Sequence, residues 1–500
     1  MLNLITDAWI PVRTTDGPRV IRPDQIAEPG VQFPDWPRAD LNLACLELLI
    51  GLVFLAAPPE SDGAWKKHRE PNSERLRVAM EPLSPAFELL GAAPRFLQEP
   101  IATNEEPKAP DMLLIDSAGA STIKNNGDLM VRGARYPTMS LPLAAMAIFT
   151  LQAFAPSGGA GNRTSMRGGG PMVTLVRPSA EGTAPLWSLI WANVPNGRPI
   201  RDMSLLPWMR SEPRTSESKQ IATPIGEDTA PEPETFFGMP RRLWLVAETT
   251  ERVAFVTGVQ QRPWGANYGG GGWLHPLTPY YNTKEGKLPR HPKPGHFGYR
   301  NWRGVVLQGK EVDRATALKT FFDRTDWGGD KAMRLIVGGW AMNNMSPVDF
   351  LWSEQPVFVL SPEQEFRAAD MVEAAEQTGY ALAAAVRDGA HEDIGAGAAL
   401  RTREALFQLT QGPFEEQMAR LADDAEDIGE QWLRMLRKTA LSLFDAEVGE
   451  GLADLQPTRR EKAVIARRVL LATMAGRTKT GAKIFECLSL PVPTKRKEPA

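Results

Sequence analysis

The sequence predicts an α+β chain: a large, irregular mixed α/β N-terminal domain over residues 1–361, then an all-α four-helix bundle over residues 362–500. Three observations predict it. Residues 1–361 hold 37 of the 43 prolines and residues 362–500 only six. Proline removes a backbone donor and breaks helices and central strands, so the two parts are built differently. Glycine also numbers 43, which calls for many turns in the first part. The second part reads as four helical segments joined by short connections, the pattern of an up-and-down bundle.

Residues 2–12 alternate and end at Pro11, as a short edge strand does. Asp40 is placed to cap a helix over about Leu41–Ala56, with Leu43, Leu46, Ile50 and Phe54 at helical spacing. Leu141–Phe154 reads as a second apolar helix, and Met172–Arg177 and Leu243–Thr250 as strands. Residues 211–235, rich in Ser, Thr, Pro and Glu, read as a loop. Residues 282–300 carry Lys284, Lys287, Arg290, Lys293 and Arg300 among prolines and glycines and read as an exposed basic loop. In the second part, helices are expected over about Glu363–Arg387, Ala399–Ala422 with an interruption near Gly412-Pro413, Asp427–Glu447, and from Thr458, an N-cap with Glu461 three residues on. Residues 415–430 hold seven acids against Arg420, and residues 457–500 hold eleven Lys/Arg against three acids. That basic stretch has two readings, a contact for displaced DNA or RNA and a solvated helix face with a frayed end.

The formal net charge is −3, from 57 Lys/Arg against 60 Asp/Glu. A freestanding nucleic-acid binder carries a basic excess, so contact with nucleic acid has to come from local patches or beside other partners. Two cysteines, Cys45 and Cys487, build neither a four-cysteine zinc site nor a disulfide framework, and they fit a reduced, cytoplasmic compartment. The start of the chain does not read as a signal peptide, and the longest apolar stretch, Leu48–Ala57, is too short to span a bilayer.

No HExxH, Walker A or GxSxG pattern is present. His275, in Trp273-Leu-His-Pro, and His291 and His296 read as surface or turn histidines. Three segments stand out instead. Gly158-Gly159-Ala160-Gly161-Asn-Arg163-Thr-Ser-Met-Arg167-Gly-Gly-Gly170 runs from a helix into a strand, the reverse of a dinucleotide loop. Its glycines permit close backbone approach, and Arg163 and Arg167 suit phosphates or base edges. It is either a polyanion contact or a flexible connection. Gly265-Ala-Asn-Tyr followed by four glycines and Trp273, with Arg262 before it, has the same two readings. In Gly338-Gly-Trp-Ala-Met-Asn343-Asn344-Met345-Ser346-Pro347 the amides can read base edges and Met345 can wedge between base steps. An Asn-Asn turn is also commonly only a turn.

Taken in order and spacing, these segments resemble the CasA family, the large subunits of the type I-E CRISPR surveillance complex Cascade. The opening Leu4-Ile-Thr-Asp-Ala-Trp-Ile-Pro-Val12 resembles that family's start. Ala155 through Gly169 resembles its glycine loop, Trp273-Leu-His-Pro-Leu-Thr-Pro279 a Trp-Pro-His-Pro-type stretch, and Leu335 through Ser346 the segment bearing its wedge. The resemblance covers nearly the whole chain. It implies a non-enzymatic subunit that works with CRISPR RNA, other Cascade subunits and double-stranded target DNA. Such a subunit reads the protospacer-adjacent motif from the minor groove, helps start strand separation, and helps position a helicase-nuclease. Base pairing reads the sequence while protein reads a short flanking signal.

By position, Gly158, Gly159, Ala160 and Gly161 would lie against the groove. Asn344, with Asn343 and Met345 beside it, falls where the family carries a wedge glutamine, and Arg262 lies near a groove-entering lysine. Ile123, Lys124, Asn125 and Asn126 fall where the family has a loop touching the RNA handle and the motif. Asn344 is one methylene shorter than glutamine. Some members carry a Cys-x-x-Cys zinc site before the Trp-His-Pro stretch; Val259–Trp264 here has no cysteine, so no zinc and no other cofactor is expected. Two other readings remain: a metal- or nucleotide-dependent hydrolase using His275, and a pure assembly scaffold.

Overall fold

The computed structural model describes the chain outside residues 101–105, 120–122, 125–134, 159–160, 179–184, 213–214, 216–231, 251–252, 269–272, 310, 325–332, 391–394, 450–455 and 494–500. It is α+β and divides into two compact units, one of Met1–Gly295 with Glu311–Gln355 and one of His296–Lys310 with Pro356–Ala500. The grouping of residues 296–310 with the helical unit leaves no mark in the proline distribution.

The first unit is built around the helix Ala39–Ala56, in which nearly every side chain from Leu41 to Ala56 is buried. It packs against Leu141–Phe154, which Ser140 caps by accepting from the Leu143 N–H, with Pro142 in the first turn. Asp40 is not the cap. It lies inside the helix, paired with the N-cap residue Arg38 at 2.9 Å, and Arg38 also binds Asp116 at 3.0 Å. Ala39–Ala56 alone among the described helices is long and apolar enough to cross a membrane, and 89 % of it is buried inside the unit. A core helix passes the same length and hydropathy test.

Among the described residues the first unit has four three-stranded sheets. Ile10–Thr14 is the central strand of the first sheet, between Gly17–Ile21 and Val31–Pro34, rather than an edge. The residues before it, Leu2 to Ile5, form a buried turn held by Asn3, whose Oδ1 accepts from the Ile5 and Thr6 N–H groups. Arg242–Thr249 pairs with Ala254–Arg262. The expected basic loop is partly a hairpin, Tyr280–Thr283 with Gly286–Pro289. Within it Lys287 is paired with Asp313 at 2.9 Å and Arg290 is half-buried. The sheet that matters most below has Arg334–Asn343 at its centre, between Val173–Arg177 and Ser346–Pro356. The Ser/Thr/Pro/Glu-rich stretch 211–235 lies mostly outside the described residues, but Pro233–Phe236 is a helical turn with Phe236 buried.

Among its described residues the second unit has four long helices, Pro362–Gly389, Gly395–Ala422, Ile428–Val448 and Pro457–Met474, and a fifth short one, Lys479–Cys487, that the sequence did not lead us to expect. Ile428, Trp432, Leu436, Ala440, Phe444 and Val448 recur every fourth residue and are all buried, one apolar stripe. The helix does not break at Gly412-Pro413. Phe414 stacks on Tyr299 at 4.2 Å and meets Trp432 edge-on at 5.2 Å, and this packing holds the helix across the proline. Thr458 is not the final cap either: the helix starts one residue earlier, with Pro457 at its first position and Gln456 before it. Arg300 pairs with Glu404 at 2.7 Å and Arg467 with Asp445 at 2.6 Å, so part of the basic charge is internally matched.

Candidate nucleic-acid interface

Asn343 ends one strand and Ser346 begins the next, which leaves a two-residue hairpin connection, Asn344-Met345. Both residues are left-handed, at φ 47° and 64°. A two-residue hairpin turn with positive φ at both central positions matches the right-handed strand twist, and Asn is suited to its first position. Glycine is the usual occupant of the second. Met345 holds that conformation at a cost of roughly 1–2 kcal/mol. Its side chain is nonetheless 43 % exposed. Asn343, Asn344 and Ser346 are exposed with it. A strained, exposed methionine at the tip of an eleven-residue strand is a poor choice for folding and a good one for an apolar wedge.

The glycine segment is a pinned loop. Its base is closed by Ser165 N–H to the Ala155 carbonyl (2.9 Å) and Gly170 N–H to the Phe154 carbonyl (3.1 Å). Its tip is closed by the Gly158 N–H and the Asn162 side chain, each at 3.3 Å. Gly158 is exposed; Gly159 and Ala160 lie outside the described residues. A Cβ added at Gly169 would stand 2.9 Å from the Met345 sulfur and 2.9 Å from Pro156 Cα. The hairpin tip therefore rests beside the root of the loop. Gly170, at φ 64°, has no room at all: a Cβ there would meet the Trp340 carbonyl at 2.5 Å. Gly170→Ala is expected to lower stability by at least about 1–2 kcal/mol, from the left-handed backbone alone, and denaturant unfolding measures it.

The loop's other flank meets the turn after Arg262. Gly161 accepts from the Trp264 N–H at 2.9 Å, and Gln261 donates to Asn162 at 2.6 Å. Arg163 lies half-buried with its guanidinium 5.0 Å from the Trp264 ring centre. The side chain of Arg262, partly exposed, has no hydrogen bond or ion pair among the described residues. The fold thus brings together Gly158, Gly161, Arg163, Arg262 and the Asn343–Met345 tip, from three separated stretches of sequence. Ile123 and Lys124 are exposed, and no described contact joins them to this face; Asn125 and Asn126 lie outside the described residues.

Arg167 is a different matter. It does not face solvent or a phosphate. It is buried and paired with Glu47 at 2.5 Å, and it donates to Thr278 at 3.2 Å. His275 is also buried rather than at the surface. Its Nδ1 accepts from the Leu277 N–H at 3.2 Å, which leaves the ring proton on Nε2, 3.5 Å from Glu47. Burial, and then the Arg167 charge, hold its pKa well below the usual value, so the ring is neutral. A sealed neutral imidazole can neither reach a substrate nor exchange protons with solvent. The sequence reading missed the partner, Glu47, although one acid in the apolar run 41–56 was a signal for it.

Among the described residues no group of three or more His, Cys, Asp or Glu is placed to hold a metal ion. Both cysteines are free, and burial pushes the Cys45 thiol up to about 12.

The sequence matches the family described as CRISPR-associated protein Cse1 over residues 3–443. The fold is similar to that of Cse1 from Thermobifida fusca, at TM-score 0.70 and 17 % identity, covering 98 % of this chain and 98 % of that one. It is similar to Cse1 from Acidimicrobium ferrooxidans, at TM-score 0.69 and 18 % identity over 98 % and 99 % of the two chains. It is similar also to a chain of a structure titled "CRISPR RNA-guided surveillance complex", at TM-score 0.67 and 15 % identity over 94 % and 99 %.

Proposed function

The chain belongs to the CRISPR-associated Cse1 family, and from that premise we propose that it is the large subunit of a type I-E CRISPR RNA-guided surveillance complex that reads the protospacer-adjacent motif. Its partners in that role are CRISPR RNA, the other Cascade subunits, double-stranded target DNA and the helicase-nuclease it helps recruit in the cytoplasm. It performs no catalytic step itself. The first domain, residues 1–361, contacts DNA and the guide-RNA handle, and the bundle, 362–500, contacts other subunits and DNA.

One observation carries the reading: an exposed, strained Asn344-Met345 tip stands against the root of a glycine loop that has Arg163 and Arg262 on its other flank. Each part has a task in opening a duplex. The exposed backbone at Gly158 can approach the floor of the minor groove without a side chain in the way. The groove presents a degenerate acceptor pattern, so readout there tolerates several motif sequences. Arg262 neutralises a phosphate. Met345 enters between base steps and pays unstacking once, where guide pairing then takes over.

Gly158→Asp tests it cleanly, because a Cβ at Gly158 would meet Asn162 at 3.1 Å, a tight but adjustable contact. The added carboxylate should repel the phosphates and weaken motif-bearing duplex binding about tenfold, with guide-RNA assembly intact; unchanged affinity at low salt would sink the reading. Arg262→Ala should weaken binding alike for all motif sequences and reduce the salt slope by about one. A loss confined to one motif would instead make Arg262 a base-reading residue.

The hydrolase reading loses its residue, since His275 is sealed in the core. The pure-scaffold reading predicts that neither variant changes DNA binding.

A further inference from the structure

His291, which the sequence suggests is a surface or turn residue, is half-buried beside the root of the glycine loop. Its Nε2 lies 3.1 Å from the Arg167 carbonyl oxygen. A carbonyl only accepts, so the ring proton sits on Nε2 and is donated there. The Gly168 N–H and the Ser165 hydroxyl close a turn between those two residues, and the Arg167 carbonyl is left outside it. The Arg167 guanidinium is fastened to Glu47, but a side-chain anchor does not fix the plane of the next peptide. Gly168 follows at φ 78°, with the rotational freedom of glycine. His291 supplies the missing restraint and leaves Gly168 no room for a side chain: a Cβ there would stand 2.8 Å from Nε2 and 3.2 Å from Cε1. The next residue, Gly169, is the one that admits the Met345 sulfur.

The backbone around His291 is itself fixed. The Arg290 carbonyl accepts from the Met172 N–H at 2.9 Å, just past the loop, and the Arg290 N–H donates to the Pro279 carbonyl at 2.9 Å. On the other side, a Cβ added at Gly339, in the strand that carries the tip, would stand 3.0 Å from Pro292 Cγ. We propose that His291 is a positioning residue for motif reading, which fixes the Arg167–Gly168 peptide and so sets the glycine loop against the Met345 tip; this rests on the reading that loop and tip meet DNA. It acts through the loop and not on the duplex. The contact is also pH-sensitive. Burial lowers the His291 pKa below the ordinary histidine value, outweighing the Arg167 and Pro289 carbonyls that accept from the ring. The Arg167 guanidinium, the charged group that acts on the ring, lowers it further. A ring released by loop opening regains the ordinary value, so opening takes up a proton. The loop is therefore tightest above about pH 6.5 and loosens as the pH falls through that value.

Deuterium exchange of the full chain, read on peptides covering residues 163–171, tests the restraint without DNA. His291→Ala should speed exchange there by about tenfold, the effect of one lost hydrogen bond on loop order. His291→Gln, whose amide nitrogen reaches the same carbonyl and does not titrate, should keep the protection. After correction for the intrinsic pH dependence of exchange, the wild-type loop should loosen between about pH 7.5 and about pH 5.5 and the glutamine variant should not. Unchanged exchange in His291→Ala, or equal pH dependence in the wild-type and glutamine chains, overturns the proposal. The glutamine chain's pH profile decides if His291→Ala does not fold. In the reconstituted complex, His291→Ala should slow strand opening beside the motif by about fivefold, with guide-RNA assembly intact. If the wild-type complex responds to the motif and His291→Ala opens DNA equally fast, only the role of His291 falls. A wild-type complex blind to the motif overturns the functional reading itself, and the role of His291 with it.

Discussion

Arg167→Met is expected to destabilise the first unit by about 3–5 kcal/mol, the cost of leaving a buried carboxylate without its counter-charge. The pair it breaks is sealed: the Arg167 and Glu47 side chains are 3 % and 1 % exposed, and 2.5 Å apart. Burial, the larger influence, raises the Glu47 pKa, and the Arg167 charge and hydrogen bond pull it down. Without Arg167 the carboxyl rises further above its unfolded value. A carboxyl raised on folding favours the folded state below its unfolded pKa and opposes it as the pH climbs above. The deficit should therefore be largest at neutral and alkaline pH and shrink in mild acid. Denaturant unfolding of the first unit, followed at both pH values, measures this. The double variant Glu47→Leu/Arg167→Met should recover much of the loss, because an apolar replacement removes both desolvation costs. A single-variant loss below about 1 kcal/mol, a value typical of exposed pairs, would show that the pair is not sealed as described.

Met345→Gly is expected to separate folding from function. Glycine relieves the left-handed strain at φ 64°, so stability should hold or rise, by up to about 1 kcal/mol. The same change removes the apolar wedge, and strand opening next to the motif should slow by about tenfold, the equivalent of roughly 1.4 kcal/mol of lost unstacking help. Asn344→Ala should weaken motif discrimination while leaving the turn less stable, since alanine tolerates positive φ worse than asparagine. A fluorescent base analogue at the first guide-paired position reports the opening. If Met345→Gly opens DNA at the wild-type rate, the tip is only a turn.

The parts of the fold that were legible in the sequence are those whose signal is local. Leu141–Phe154 appears as expected because Ser140 and Pro142 mark its start and its residues are apolar throughout. Asp40 misled because an acid one residue inside a helix looks like a cap, and only Arg38 and Asp116 reveal its actual task. Pro413 misled because its helix is held by Tyr299 and Trp432, more than a hundred residues upstream and about twenty downstream. Lys479–Cys487 was missed because it is only nine residues long and carries a glycine, Gly481, in its first turn.

The candidate interface was partly legible. Its glycines and its Asn-Asn turn were visible as composition. Their assembly on one face was not, since it depends on Gly169 admitting the Met345 sulfur and on Gly161 accepting from Trp264. Arg163 and Arg167, four residues apart, looked alike as sequence. One lies on Trp264 and the other is bound to Glu47, and only burial tells them apart.

The central claim is that this chain reads the flanking motif for an RNA-guided complex. The most direct measurement reconstitutes that complex with and without the chain. Binding is then compared at fixed salt for duplexes that share the guide-matched sequence and differ only in the flanking motif. The account predicts that discrimination between motifs appears only with the chain, and fades with Asn344→Ala and with Gly158→Asp. Discrimination that persists in its absence, or survives both substitutions, would contradict it.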